Sequence, residues 1–147
     1  MGGRLPSGTG RAKSNSMENG SADDFHSHIY FDERSRASAT ELQVALIRDL
    51  PATVRVSRLV DRPIGPHPLP MFELGFSSVD YAEVRDYLAA NRGPHSVLLH
   101  PVTIDEVRDH TAGAVWLGPP VSLDIGFLRD FMAGTTPGVS QTVPFMR

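Results

Sequence analysis

The segment Phe25-His26-Ser27-His28-Ile29-Tyr30-Phe31 constrains this chain more than any other. In an extended strand successive side chains point to opposite faces. Phe25, Ser27, Ile29 and Phe31 then share one face, and His26, His28 and Tyr30 the other. One face belongs on an apolar core, while the other carries two imidazoles whose Cβ atoms lie roughly 7 Å apart, from about 3.3 Å of rise per residue. Imidazoles at that spacing can converge on one metal ion, so the remaining histidines are judged by whether they reach this strand.

The chain length of 147 residues fits one domain with a real core. Its 40% apolar and 21% charged content is that of a globular protein. A net charge of −3 without a basic stripe argues against nucleic-acid binding. No apolar run approaches the ~20 residues of a membrane span. No secretory signal precedes the fold, and the expectation of a cytoplasmic protein rests on that alone. With no cysteine, disulfides, thiolate metal sites and a cysteine nucleophile are excluded. A metal site must use His, Asp, Glu or water, which suits iron, zinc, copper or manganese. Lys13 is the only lysine, so the folded part has none for a Schiff base.

Residues 1–22 are rich in Gly, Ser and Asn and read as a disordered leader, with Met17 a candidate natural start. Residues 23–130 read as a single domain and 131–147 as a tail, Gly/Thr/Pro-rich and frayed from Ala133. After the first strand, a helix runs to about Arg48. Its start is marked by a Ser38-to-Glu41 capping box or by an earlier cap at Asp32 or Ser35. Leu42, Ala45 and Leu46 form its apolar side, widened by Val44 and Ile47. Pro51 stops it. A second strand spans about 53–60, nearer a sheet edge, and a stiff proline-rich loop follows over 61–70 with His67 at its centre. A third strand covers 71–76. A helix then begins at Ser77 or Ser78, carries Tyr81, Val84 and Leu88 at helical spacing, and stops at Asn91-Arg92-Gly93. A fourth strand covers 96–100. A second capping box, Thr103 to Glu106, predicts an extra C-terminal helix over 104–117, stopped by Gly118-Pro119-Pro120. A short apolar piece, 121–128, runs back along the body.

The order β-α-β-β-α-β predicts an α+β, ferredoxin-like sandwich: an antiparallel sheet with both helices on one face and the other face free. The first strand is central there, between the third and fourth, which brings His26 and His28 near His100. His67 is predicted at the far end of the first strand. It reaches the cluster only if its loop folds across the open face or crosses a dimer interface. Asp109 is a candidate to orient a neighbouring imidazole, with His110 beside it. His95, in a turn, is expected to be exposed. No phosphate loop, dinucleotide fingerprint or nucleophile elbow is present.

Six motifs in order, His-Ser-His-Ile-Tyr-Phe (26–31), Arg-Pro-Ile-Gly-Pro-His-Pro (62–68), Asn-Arg-Gly (91–93), His-Pro (100–101), Asp-His-Thr (109–111) and Trp-Leu-Gly (116–118), resemble the DOPA 4,5-dioxygenase family. The resemblance covers about residues 24–128. It implies a ferredoxin-like homodimer that cleaves a catechol ring in the extradiol manner with non-haem Fe(II) and O₂, DOPA being the named substrate. It carries over five histidines, 26, 28, 67, 100 and 110, and leaves out His95. Fe(II) is the implied cofactor, with zinc as its substitute in purified protein. Such chemistry usually uses two histidines and a carboxylate, yet no carboxylate stands at ligand spacing. The expected ligands are His26, His28 and His100. His67 and His110 are the expected proton-transfer groups, and Arg62 and Tyr30 the expected substrate contacts, Arg62 by a fork on a carboxylate. Two other classes stand beside this: a non-catalytic dimeric module binding a metal or small ligand, and a zinc hydrolase or isomerase using the same site.

Overall fold

The computed structural model describes residues 23–134 and 143–146. The leader expected over 1–22 lies outside the described residues, as does much of the tail.

Strand β1 (Phe25–Tyr30) is the centre of the fold. It pairs antiparallel with β3 (Met71–Phe76) on one side and β4 (Val97–Pro101) on the other. Short strands β2 (Arg55–Val56) and β5 (Val115–Leu117) close the edges, giving the order β2-β3-β1-β4-β5. Helices α1 (Arg36–Asp49) and α2 (Tyr81–Asn91) follow β1 and β3. This is the expected ferredoxin-like sandwich with one added strand. Ile29, Phe72, Leu74, Phe76, Val97 and Leu99 meet Leu42, Leu46, Val84 and Leu88 in the main core. The opposite face carries a second cluster of Tyr30, Val60, Ile64, Met71 and Leu98, with Trp116 packed against it. The free face of the prediction is therefore covered. A proline-rich loop, α3 (Glu106–Asp109), α4 (Ile125–Met132) and the C-terminal residues lie on that side.

Local chemistry explains the helix ends. Asp32 accepts hydrogen bonds from the amides of Arg34 and Ser35, and Ser35 Oγ accepts one from the Asp32 amide. This earlier cap supersedes the predicted box at Ser38. On α1 it is Gln43 that is buried, while Val44 faces solvent. Gln43 Nε2 donates to the Ser57 carbonyl at 2.8 Å, satisfying backbone where the predicted second strand shrinks to two residues. Gly93 takes the left-handed backbone expected after α2, with φ +58°.

Three expectations are corrected. The helix predicted over 104–117 is only α3, capped by Asp105. Gly113 donates back to the Arg108 carbonyl, and the β-branched and aromatic run 115–117 pairs with the edge of β4 instead. The apolar piece at 121–128 becomes the start of α4, with Asp124 accepting from the Phe127 amide. Nor is the described part of the tail frayed. Phe145 bridges Ser57, Met146 donates to the Val56 carbonyl, and the Arg55 guanidinium lies 3.9 Å over the Phe145 ring.

His95 is also buried rather than exposed. Its Nδ1 donates to the Tyr30 carbonyl at 2.9 Å and its Nε2 pairs with Ser38 Oγ at 2.9 Å, tying β1 to α1. Replacing His95 with Ala orphans that carbonyl and is expected to cost about 1–3 kcal/mol. Urea unfolding checks this, and metal affinity measured alongside is expected to be unchanged.

Candidate metal centre

Register places the polar side chains. His26 stands opposite His100 on β4 and Gly75 on β3, and His28 stands opposite Leu98 and Glu73. Alternation turns His26, His28, Glu73 and His100 to the same face. The absence of a side chain at Gly75 is used: a Cβ there would collide with the Asp23 carboxylate. Asp23 crosses that gap to within 3.4 Å of His26 Nε2 and takes a 2.6 Å hydrogen bond from Arg55.

Two further histidines arrive from outside the sheet. Ile64 and His67 exchange backbone hydrogen bonds across a tight turn, which Gly65 permits with φ +57°. Asp124 donates to the Pro66 carbonyl at 2.8 Å, fastening the loop to the start of α4. The loop thus folds over the open face within one chain and sets the His67 ring 4.0 Å from that of His28. His110, at the end of α3, sets its ring 4.0 Å from that of His100, tilted by 39°. Asp109 does not orient an imidazole: it accepts hydrogen bonds from the Thr103 amide and hydroxyl, holding the turn into α3.

Five of the six histidines therefore line one cavity of about 180 Å³, with apolar walls from Ile64, Phe127, Leu128 and Phe131. Two sets could hold a metal ion, His26 with His28 and His100, and His28 with His67 and His110. In each set the ligand atoms lie within 4.8 Å of one another. His28 belongs to both. Hydrogen bonds settle two tautomers. His100 Nδ1 is 2.7 Å from the Pro101 carbonyl, and His110 Nδ1 is 2.7 Å from the Glu106 carbonyl. A carbonyl only accepts, so both imidazoles carry hydrogen on Nδ1 and keep an Nε2 lone pair.

Tyr30 lies behind His67, not on the cavity wall. Its hydroxyl is 2.7 Å from His67 Nδ1, and its ring stacks on Trp116. Arg62 is not brought to the histidines. It is exposed, leans on the Pro63 carbonyl, and lines a separate recess with Leu59, Asp61 and Pro144. The residue that sequence reading missed is Glu73. It is buried, 3.5 Å from His26 Nδ1 and 3.6 Å from His28 Nδ1.

Burial dominates the electrostatics. It holds His28 and His100 well below the ordinary imidazole range, and neighbouring histidines add to the shift. Burial, with His110 and His26 nearby, takes His67 to about 3. It also lowers His110, against the raising effect of the Glu106 carbonyl bond. For His26 burial acts the same way but is outweighed by the Asp23 contact and the Glu73 charge, so its pKa rises. Burial raises Glu73 and Tyr30.

The Dopa 4,5-dioxygenase family pattern matches residues 25–127, and the chain belongs to that family. A 21.2 kDa protein of Botryotinia fuckeliana is 35% identical over 124 residues, covering 77% of this chain and 67% of that protein. The DOPA 4,5-dioxygenase of Amanita muscaria is 37% identical over 112 residues, 71% of this chain. The match spans 49% of the Amanita enzyme, about half its length. A crystal structure described as a candidate dioxygenase of Nostoc punctiforme superposes with a TM-score of 0.70 at 38% identity, covering 74% of this chain and 93% of that one. The family is one of dioxygenases, and the buried histidines suit a metal ion. Among the described residues no helix is long and apolar enough to cross a membrane.

Four depressed imidazoles make a pH prediction. Folded, they bind protons less readily than in the unfolded chain, which titrates near 6.5. Stability they lend is complete above that pH and is lost as pH falls toward the folded values. His26, shifted the other way, offsets part of the loss. The thermal midpoint of metal-free protein is expected to drop steadily from pH 7 to 5, and saturating zinc is expected to flatten the upper part of that slope.

Proposed function

We propose that this protein is an extradiol dioxygenase that holds ferrous iron among its cavity histidines and inserts O₂ into a catechol such as DOPA. The observation that carries the reading is the His28–His100 contact. Their Nε2 atoms are 3.0 Å apart. Two imidazole nitrogens side by side in a buried pocket would serve as neighbouring ligands of one ion. His26 completes the set on the sheet. Ferrous iron bound there would supply the one-electron chemistry that lets a spin-paired catechol react with O₂. An all-histidine set departs from the usual pair of histidines with one carboxylate.

The remaining residues have distinct tasks. His110 presents an Nε2 lone pair to the cavity and serves to take a catechol proton. His67 faces it across the pocket, with ring centroids 6.0 Å apart, and is the second proton-transfer group. Tyr30 fixes the His67 ring through the 2.7 Å bond rather than touching substrate. The apolar walls, Phe127 and Phe131 among them, take the aromatic ring. Kinship with the Amanita enzyme supports DOPA-like catechols as the substrate class.

The direct test is oxygen uptake by protein loaded anaerobically with Fe(II). With L-DOPA or a related catechol, the expected result is one O₂ consumed per catechol and a yellow ring-opened product. Absence of uptake across a catechol panel would contradict the proposal. His28→Ala is expected to lose both iron and turnover. His110→Gln is expected to keep its iron while kcat falls about 10²–10⁴-fold, as judged by metal analysis and steady-state rates.

A further inference from the structure

One buried carboxylate sits beneath the histidines without a task in that scheme. Glu73 lies directly opposite His28 in the β1–β3 register and on the floor of the cavity. Its Oε2 stands 3.5 Å from His26 Nδ1 and its Oε1 stands 3.6 Å from His28 Nδ1. One carboxylate thus meets the same ring atom of two imidazoles, an oxygen for each. On the far side of His26, Asp23 faces Nε2 at 3.4 Å.

The hydrogen-bond count around His28 is unbalanced. Its Nδ1 makes no hydrogen bond, although it is fully buried. Its Nε2 lies 3.0 Å from His100 Nε2, which is a lone pair because His100 carries its hydrogen on Nδ1. Without a cation, the stable arrangement puts the His28 hydrogen on Nε2, pointing at His100. That leaves Nδ1 bare beside Glu73. If both Nε2 atoms serve as ligands, the hydrogen must move to Nδ1, where Glu73 is the carboxylate placed to accept it among the described residues.

We infer that Glu73 is a positioning residue of the metal centre: it holds His28 with hydrogen on Nδ1 and so turns its Nε2 lone pair to the ion. The inference rests on the metal-centre reading and goes beyond it by giving the site a carboxylate that is not a ligand. Carboxylates in this role raise ligand basicity and fix ring orientation, and losing one typically weakens metal affinity 10–100-fold.

The test uses zinc, which avoids oxygen chemistry. Zinc affinity is measured by chelator competition for wild type, Glu73→Gln and Glu73→Ala, with thermal melts to verify folding. Histidine tautomers are read in the zinc-loaded wild type by long-range ¹H–¹⁵N correlation. The expected result is at least tenfold weaker binding for Glu73→Ala and a smaller loss for Glu73→Gln, whose carbonyl accepts from one imidazole. His28 is expected to carry hydrogen on Nδ1. Equal affinity in all three proteins, or a zinc-loaded His28 with hydrogen on Nε2, would overturn the role of Glu73 and leave the metal centre standing. A wild-type protein that binds no zinc and no Fe(II) would overturn the metal centre itself, and Glu73's role with it. The tautomer measurement needs no variant, so it decides the matter even if Glu73→Ala fails to fold.

Discussion

The antiparallel register of β1 between β3 and β4 is the constraint on which the rest depends. It sets His28 against Glu73 and His26 against His100. A slip of one residue would turn the histidines into the helix-packed core and Ile29 into the cavity. The register is protected from both faces. Ile29 is fully buried under the helices, and Tyr30 is buried against Trp116 on the other side. His95 locks the end of the strand by bonding the Tyr30 carbonyl. Gly75 gives Asp23 room to pass over the sheet and reach His26.

Gathering five imidazoles in one buried space has an electrostatic consequence. Desolvation and mutual repulsion keep most of them neutral, which is the state that binds a metal or accepts a proton. The exception is His26, whose charge is favoured by two carboxylates. The protein thus concentrates lone pairs rather than charge at the cavity, and a cation meeting His28 and His100 gains ligands that need no deprotonation. The same crowding makes the empty site a source of instability in acid.

Much of the fold was legible because it follows from periodicity. The alternation in β1, the helical spacing of Leu42 and Leu46, and the stop at Gly93 lead straight to the sandwich. The proximity of His26, His28 and His100 then follows from strand order alone. What periodicity does not carry is the covering of the second face. The sequence sets His67 at a distance because a loop has no period. It comes home through Gly65 and the Asp124–Pro66 bond, which link segments far apart in sequence. Glu73, between Phe72 and Leu74, carries no signal of its own in the sequence, and register shows what it faces. A turn histidine is usually solvated, whereas His95 satisfies backbone at the end of β1. The motif Asn-Arg-Gly proves structural: Arg92 bonds the His95 carbonyl and packs against Gly118 of the Trp-Leu-Gly motif.

The proposed centre holds one metal ion at His28 and His100. A crystal structure of Fe(II)-loaded protein, with data collected on both sides of the iron absorption edge, tests it most directly. One strong anomalous peak is expected about 2.1 Å from the Nε2 atoms of both residues. An iron-loaded crystal with no peak in the cavity, or with a peak held by other side chains while His28 and His100 stay hydrogen-bonded to each other, would contradict it.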